Sequence, residues 1–355
     1  MKIVVGMSGG VDSSVTALLL SEAGHEVLGL SLQIWDQRYR TDPKTCCSRE
    51  AVLSAETACK RLGIEHISMD TRQVFLEQVI EPFCKSYIAG ETPNPCVLCN
   101  RFIKFSFLLS KAADLGADAV ATGHYAQIER VKTGTRFALL KGIDPQKDQS
   151  YFLYVMKQNE LSRTILPLGI LHKKEVREIA KRAGLPAADR PESQEICFVG
   201  TGGYTDFISG VSPEAVKPGP IVDSSGRILG EHRGIAFYTV GQRRGLGVAA
   251  GARLYVIRID RDSNTVVLGP RQEGMRSKYL VCDINWIASI PENGNFEAAV
   301  KIRSTMKEAP AGIKILGRNR AEINFKQPQW APAPGQAAVF YRGNEVLGGG
   351  IISTA

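Results

Sequence analysis

Lys2-Ile-Val-Val-Gly-Met-Ser-Gly-Gly-Val-Asp-Ser-Ser14 decides how the rest of the chain is read. Its short apolar run predicts a buried strand, Ser8-Gly9-Gly10 a tight turn, and Asp12, Ser13 and Ser14 the opening of an apolar helix over Val15 to Leu20. Such a strand–turn–helix points several backbone N–H groups at one spot, the positive end of a helix dipole, where phosphate binds well. The glycines let an oxyanion approach the main chain, and the hydroxyls add donors. The turn is not a Walker loop: the G-x-x-x-x-G-K-[ST] spacing is missing, and with it the lysine that grips β- and γ-phosphates.

Outward from this loop, strand-like and helix-like segments alternate. Gly24 stops the first helix, Glu26 to Leu32 reads as a second strand, Ala51 to Leu62 as a helix closed by Gly63, and His66 to Met69 as a third strand. A polar, basic stretch runs from Asp36 to Lys44; further on, Arg101 to Leu115 has helical spacing and Ala119 to Thr122 is a fourth buried strand. His172 to Ala183, ended by Gly184, extends the pattern. The rhythm implies an α/β domain with a parallel sheet and helices on both faces. Ligands in such folds lie beyond the carboxyl ends of the strands, where Ser8–Ser14 and Gly123-His124 fall.

After about residue 200 the character changes. Gly202-Gly203, Pro213, Pro218-Gly219-Pro220 and Gly226 punctuate short segments. Arg253 to Ile259, Thr265 to Leu268, Ala298 to Ile302, Ala321 to Phe325, Ala337 to Tyr341 and Val346 to Ile352 read as strands, with Gly343-Asn344 a two-residue hairpin signal. The expected organisation is an α/β domain over 1–200 and two β-rich domains over 201–275 and 276–355.

At 355 residues the chain exceeds what one hydrophobic core supports, and 44% hydrophobic with 23% charged residues is ordinary for a globular protein. No apolar segment approaches membrane-spanning length, and Met1-Lys2 runs straight into the first strand with no room for a signal peptide, so a cytoplasmic protein is expected. A net charge of +8 fits a polyanionic partner. Residues 227–276 concentrate it, with nine arginines, no lysine and four acids. Arginine's planar fork suits phosphate and base stacking, which makes Arg243 and Arg244, flanked by Gly241 and Gly245, candidates for contact with RNA.

Eight cysteines in a chain of this kind do not make a disulfide scaffold. Thr92-Pro-Asn-Pro-Cys-Val-Leu-Cys-Asn-Arg-Phe-Ile-Lys-Phe105 brackets Asn94 between prolines and sets Cys96 and Cys99 before a helix that begins with Arg101 and Lys104, an environment that favours thiolate. Cys197 follows in Arg190-Pro-Glu-Ser-Gln-Glu-Ile-Cys-Phe198. Cys59 reads as a buried small hydrophobe, Cys84 and Cys282 as structural, while the vicinal Cys46-Cys47 pair stays open. For Cys96, Cys99 and Cys197 a structural zinc lacks a second ligand pair, a redox or sulfur-transfer pair needs two thiols, and an iron–sulfur cluster needs three or four thiolates.

Ser8 to Ser13 resembles the S-G-G-x-D-S loop of ATP pyrophosphatases, which hold the pyrophosphate of ATP while a substrate oxygen attacks the α-phosphorus and AMP is formed. The whole chain resembles the tRNA-specific 2-thiouridylase family. The matching pieces are Gly6-Met-Ser-Gly-Gly-Val-Asp-Ser13, Thr92-Pro-Asn-Pro-Cys-Val-Leu-Cys-Asn100, Ala121-Thr-Gly-His-Tyr125, Lys147-Asp-Gln-Ser-Tyr-Phe-Leu153, Glu195-Ile-Cys-Phe198, Tyr238-Thr-Val-Gly-Gln-Arg-Arg-Gly-Leu-Gly247 and Pro334-Gly-Gln-Ala-Ala-Val-Phe-Tyr341. The resemblance implies an N-type ATP pyrophosphatase domain (adenine nucleotide alpha hydrolase-like), then two small β-rich domains, the last a β-barrel that grips the anticodon arm.

It also implies 2-thiolation of the wobble uridine of tRNA, with ATP adenylating the uridine C2 oxygen and AMP and pyrophosphate released. Gly6, Met7, Ser8, Gly9, Gly10, Val11, Asp12 and Ser13 would hold the phosphates, Asp12 with Mg²⁺, while Leu32 and Gly123 border the adenosine. Cys197 would carry the persulfide sulfur, and Cys99 would release the product by forming a disulfide with it. Asn94, Pro95 and Cys96 would lie near the target base; His124, Asp148, Gln149, Ser150, Arg303, Ser304 and Gln336 would contact tRNA. Some members have Asp where this chain has Cys96, and the cysteine here strengthens a second expectation, a 4Fe–4S cluster on Cys96, Cys99 and Cys197. Expected partners are tRNA and a sulfur-carrier or cysteine desulfurase relay protein, with the chain itself a monomer. The alternative is another AMP-forming ligase or amidotransferase acting on tRNA.

Overall fold

Ile3, Val4 and Val5 have no exposed surface at all, the condition of a strand with helices on both faces. In the computed structural model, which describes residues 1–34, 49–132, 134–188, 196–199, 202–248, 253–289 and 294–353, they form β1 (Lys2–Gly6). The stretch from Asp36 to Lys44, Cys46-Cys47 and Arg190 to Glu195 lie outside the described residues. The chain divides into two units, Met1–Val79 with Cys96–Thr201 and Asn344–Leu347, and Ile80–Pro95 with Gly202–Gly343 and Gly348–Ala355.

In the first unit, β1 leads through α1 (Val11–Glu22) to β2 (Glu26–Gln33), and through α2 (Arg49–Leu62) to β3 (Glu65–Asp70). After β4 (Ala119–Ala121) the antiparallel hairpin of β5 (Ala126–Arg130) and β6 (Phe137–Lys141) intervenes before β7 (Thr164–Ile165). The sheet order is β3-β2-β1-β4-β7, parallel throughout. Strand order reverses between β1 and β4, the crevice where open α/β sheets bind ligands.

One face of the sheet buries Ile3, Val5 and Val27 against Ala17, Leu20, Ala55, Ala58 and Cys59 of α1 and α2. The other buries Val4, Leu28 and Leu30 against Leu108, Leu109 and Ala112. Each such Val, Leu or Ile contributes about 1.5–3 kcal/mol by leaving water. Cys59 is part of this core as expected, and burial pushes its thiol up to about 11.

The predicted helix from Arg101 is present in a different winding. Pro95–Leu98 is α-helical, Cys99–Phe107 is π-helical, and Leu108–Asp114 returns to α-helix. Wide π turns of this kind are rare and concentrate at functional sites.

In the second unit, helices Glu81–Ile88 and Gly203–Val211 meet through aromatic rings: Tyr87 stacks on Tyr204 at 4.7 Å, and Phe83 meets Phe207 edge-on at 6.3 Å. These contacts draw Ile80–Pro95 out of the chain order of the α/β region, something no local pattern signals. A four-stranded sheet follows, of β8 (Gly219–Asp223), β9 (Ile228–His232), β10 (Tyr255–Asp260) and β11 (Thr265–Gly269) in the order β10-β11-β8-β9.

The last strands are β12 (Met275–Trp286), β13 (Asn295–Lys301), β14 (Ala309–Gly317), β15 (Arg320–Trp330), β16 (Ala337–Arg342) and β17 (Glu345–Ser353). They run β12-β15-β14-β13-β16-β17, and β17 pairs back to β12, which closes a six-stranded barrel. Val281, Val300, Ile313, Ile323, Phe325 and Phe340 are buried on its inner face. β12 and β14 were not legible as strands, because their exposed alternate residues break up the apolar run. Among the described residues no helix is long and apolar enough to cross a membrane.

Candidate nucleotide and thiol site

Met7 to Gly10 leave the carboxyl end of β1 and enter α1, whose N-cap is Gly10 in extended conformation with no side-chain cap. The first-turn amides of a helix have no acceptor within it, so those of Val11, Asp12 and Ser13 face the loop. Inside the turn Ser13 Oγ and Ser14 Oγ each donate to Gly10 O at 3.1 Å, and Ser8 N–H donates to Ser13 Oγ at 3.2 Å. Gly9 has φ +72°, and a Cβ there would lie 2.0 Å from Ala51 O at the start of α2. Ser54 Oγ–H, also on α2, donates to Gly9 O at 3.1 Å. Gly123, just past β4, closes the other side; a Cβ on it would be 2.8 Å from Asp12 Cβ. Both glycines are demanded by close approach.

A second tier holds this loop from behind. Ser31 Oγ–H donates to Met7 O at 2.9 Å, so His66 Nε2–H donates to Ser31 Oγ at 2.8 Å. Burial holds the His66 imidazole below its usual range, against the nearby Glu56 carboxylate. Leu32, the next residue of β2, is half-buried.

Asp12 is not an isolated carboxylate. Lys173 Nζ reaches both its oxygens, at 2.6 and 2.7 Å, and Tyr125 O–H donates to Oδ1 at 2.8 Å. The Lys173 side chain is only 10% exposed against 33% for Asp12, so the ammonium is committed to this carboxylate while the carboxylate still meets solvent. Lys173 also lies 5.4 Å from the Tyr125 ring centre, and its backbone N–H donates to Asp144 Oδ2 at 3.0 Å. Sequence reasoning missed Lys173 and gave Tyr125 no role. The one available signal was a basic residue at the first turn of the His172–Ala183 helix, where the dipole disfavours cations.

His124 is buried, and burial, reinforced by the Lys104 ammonium, holds its imidazole well below the usual range. Lys104 Nζ faces Nε2 at 3.4 Å and can only donate, so Nδ1–H donates to Thr122 Oγ1 at 2.7 Å. Asp148, Gln149 and Ser150 knit one turn together. Asp148 accepts from Gly142 N, Ser150 N and Ser150 Oγ at 3.0–3.1 Å, and Gln149 Oε1 accepts from Tyr125 N at 3.0 Å.

Cys96 is exposed, while Cys99 and Cys197 are half-buried. Cys99 opens the π-helical stretch, and the buried Asn100 beside it donates to Phe152 O at 3.1 Å. Asn100 Oδ1 has no partner among the described residues. Phe198, next to Cys197, packs edge-on against the buried Phe75 at 5.6 Å. Arg72–Phe75 in turn packs on Cys99–Phe107, so Cys99 and Cys197 belong to one unit.

The expected 4Fe–4S site finds no support in the structure. Among the described residues no group of three or more Cys, His, Asp or Glu is placed to hold a metal ion, so Cys96, Cys99 and Cys197 do not form a ligand triad. No disulfide joins any two of the six described cysteines.

The remaining candidates belong to the second unit, except Cys96. Asn94 is half-buried and Pro95 buried. Arg303 directs one guanidinium nitrogen to Val240 O at 3.2 Å and to Ala331 O, with Ser304 beside it half-buried in the same turn. Gln336 Nε2 donates to Thr92 O at 2.9 Å. Arg243 and Arg244 are exposed in a loop between Gly241 and Gly245, both at positive φ.

A parallel sheet with helices on both faces and a glycine–serine loop leading from its reversal point into a helix N-terminus is an open α/β domain of the ligand-binding class. Residues 1–201 match the tRNA methyl transferase HUP domain, 205–270 the tRNA methyl transferase PRC-barrel domain and 276–352 the aminomethyltransferase beta-barrel domain. The tRNA-specific 2-thiouridylase MnmA of Carboxydothermus hydrogenoformans is 46% identical over 99% of this chain and 97% of its own length. Those of Chloroflexus aurantiacus and Moorella thermoacetica are 47% and 46% identical over 99% of this chain and 98% and 99% of their own. The chain belongs to the tRNA-specific 2-thiouridylase family.

Proposed function

We propose that the protein is an ATP-dependent tRNA-uridine 2-sulfurtransferase acting on the wobble uridine. The observation that carries this reading is that one unit holds both an anion-cradling loop at a sheet's reversal point and the two thiols Cys99 and Cys197.

The uridine C2 oxygen is a poor leaving group. ATP, with its phosphates on the main chain of Gly6 to Ser13 and its adenosine bordered by Leu32 and Gly123, accepts that oxygen at the α-phosphorus and loses pyrophosphate. A Mg²⁺ ion bound with ATP would offset charge on the pyrophosphate, and Asp12 fits it: the carboxylate is a third exposed beside the loop. Lys173 would share Asp12 with the ion or move onto phosphate.

Cys197 carries the sulfur as a persulfide, whose terminal sulfur attacks C2 and expels AMP. Cys99 thiolate then attacks Cys197 Sγ. The S–S bond to the transferred sulfur breaks, its electron pair becomes the thiocarbonyl of 2-thiouridine, and a Cys99–Cys197 disulfide is left for an external thiol to reduce. A sulfur-carrier or desulfurase relay protein reloads Cys197. Asn94, Pro95 and Cys96 adjoin the target base, and Arg303, Ser304, Gln336, Arg243 and Arg244 serve the RNA. His124, neutral and buried, with Asp148, Gln149 and Ser150, positions the loop that faces it.

The test is nucleoside mass spectrometry of an unmodified tRNA transcript incubated with protein, ATP, Mg²⁺ and a sulfur donor. The expected result is 2-thiouridine from the wild type and none from Cys99→Ser or Cys197→Ser. ATP turnover without thiouridine, unaffected by either substitution, would move the reading to another AMP-forming ligase or amidotransferase acting on tRNA.

A further inference from the structure

In the second unit, away from the cysteines and the glycine–serine loop in the chain, a cleft of about 430 Å³ is lined by Tyr204, Phe237, Tyr238, Arg233 and Arg244. Its size falls in the usual range of small-ligand sites. The wall is rigid for identifiable reasons. Tyr87 stacks on Tyr204 with 22° between the planes, and Tyr204 O–H donates to Phe237 O at 3.1 Å. The loop that follows is locked by Gln242, whose Oε1 accepts from Thr239 N at 2.9 Å and whose Nε2 donates to Arg244 O at 3.0 Å. Phe237 and Tyr238 are buried, while both arginines are exposed. Arg233 lies over the Phe237 ring at 5.2 Å, and among the described residues neither guanidinium has an ion pair.

An aromatic wall with two uncompensated guanidiniums at its rim matches one chemistry well. A base has a π-face for the rings, and its phosphate takes the paired N–H donors of arginine. Among the described residues no carboxylate lines the cleft to repel a phosphate or pair with a cationic ligand. A base inside a stem is not free to enter, whereas a splayed-out one is. We infer that this cleft holds one unpaired nucleotide of the RNA substrate, base against Tyr204, Phe237 and Tyr238 and phosphate on Arg233 and Arg244. The inference rests on the reading of the protein as a tRNA-modifying enzyme, and places on the RNA a contact distinct from the uridine that reacts.

The experiment is ultraviolet crosslinking of the full-length protein to an unmodified tRNA transcript, followed by peptide mass spectrometry, with thiolation of the same transcript measured in parallel. A nucleotide adduct is expected on Tyr204 or Tyr238. The Arg233→Gln/Arg244→Gln variant, altered only at exposed positions, should lose the adduct and bind the transcript about tenfold more weakly. A transcript that is bound and thiolated as usual, with adducts only elsewhere and the variant's affinity unchanged, would overturn the inference and leave the function standing. Suppression of the adduct by free AMP while the transcript stays bound would assign the cleft to a mononucleotide and overturn it too. Adducts in the cleft without any thiolation would overturn the thiolation reading instead.

Discussion

The loops at Ser8–Ser14 and at Thr239–Gly245 are both short, glycine-bearing and tied by their own hydrogen bonds, yet they offer opposite chemistry. The first buries Gly9, Val11, Ser13 and Ser14 and turns main-chain amides outward from a helix end. Its one acid, Asp12, is balanced by Lys173. The second leaves Arg243, Arg244 and Gly245 exposed, with charge carried on long side chains. A ligand on the first meets fixed dipoles at close range, which requires a shaped backbone and tolerates salt. A polyanion on the second meets mobile charges whose grip weakens as salt rises. On the proposed function, the first loop places a reacting phosphate and the second holds a large partner.

The most severe break in this contrast is Gly9→Ala. A Cβ directed at Ala51 O, on a residue at φ +72°, cannot be absorbed without moving the loop, so ATP binding measured by equilibrium dialysis should be lost while the circular dichroism spectrum is retained. Retained binding would mean that this loop is not the phosphate seat. Arg243→Ala/Arg244→Ala should bind ATP as the wild type does.

Next comes Lys173→Met, which strips Asp12 of its countercharge. Breaking a buried pair costs about 3–5 kcal/mol, and the partial exposure of Asp12 puts this case near the lower end, read by denaturant unfolding. The double variant with Asp12→Asn should recover part of that loss; strict additivity would show that the pair is not coupled.

A smaller effect separates the second loop. Arg243→Ala/Arg244→Ala should lower the dependence of log Kd for tRNA on log salt by about 1.4–1.8, at roughly 0.7–0.9 per phosphate contact. An unchanged slope would take these arginines off the RNA.

The smallest effect is on stability against pH. The buried His124 stays neutral in the fold well below 6.5, while the unfolded chain takes up a proton there. Stability is therefore full above that pH and falls as pH drops through it, by about 1.4 kcal/mol per pH unit at most. Thermal melts from neutral to mildly acidic pH should show a steeper loss for the wild type than for His124→Asn.

Much of the first unit could be read from residues alone, because the signals are local. β1 to β4, α1, α2 and the turn at Ser8–Gly10 follow from apolar period, glycine stops and the run of small hydroxyl residues, all within a few residues of one another. The same holds for Cys59, whose apolar helix neighbours announced its burial. The hairpin of β5 and β6 escaped notice because it interrupts the β–α rhythm, and helix Gly203–Val211 did so because its glycines read as turns.

What the sequence by itself determined, then, was the strands of the sheet, the glycine–serine loop and the family to which both belong. Only the tertiary structure decided that Lys173 pairs with Asp12 across 161 residues of chain, that Ile80–Pro95 joins the second unit, that Cys96, Cys99 and Cys197 form no ligand triad, and that Tyr204 shares a cleft with Arg244. Strand, helix and turn are chosen by the steric and hydrogen-bonding preferences of neighbouring residues. Which distant side chains meet is chosen by how those elements pack, and packing depends on the shape of the whole unit.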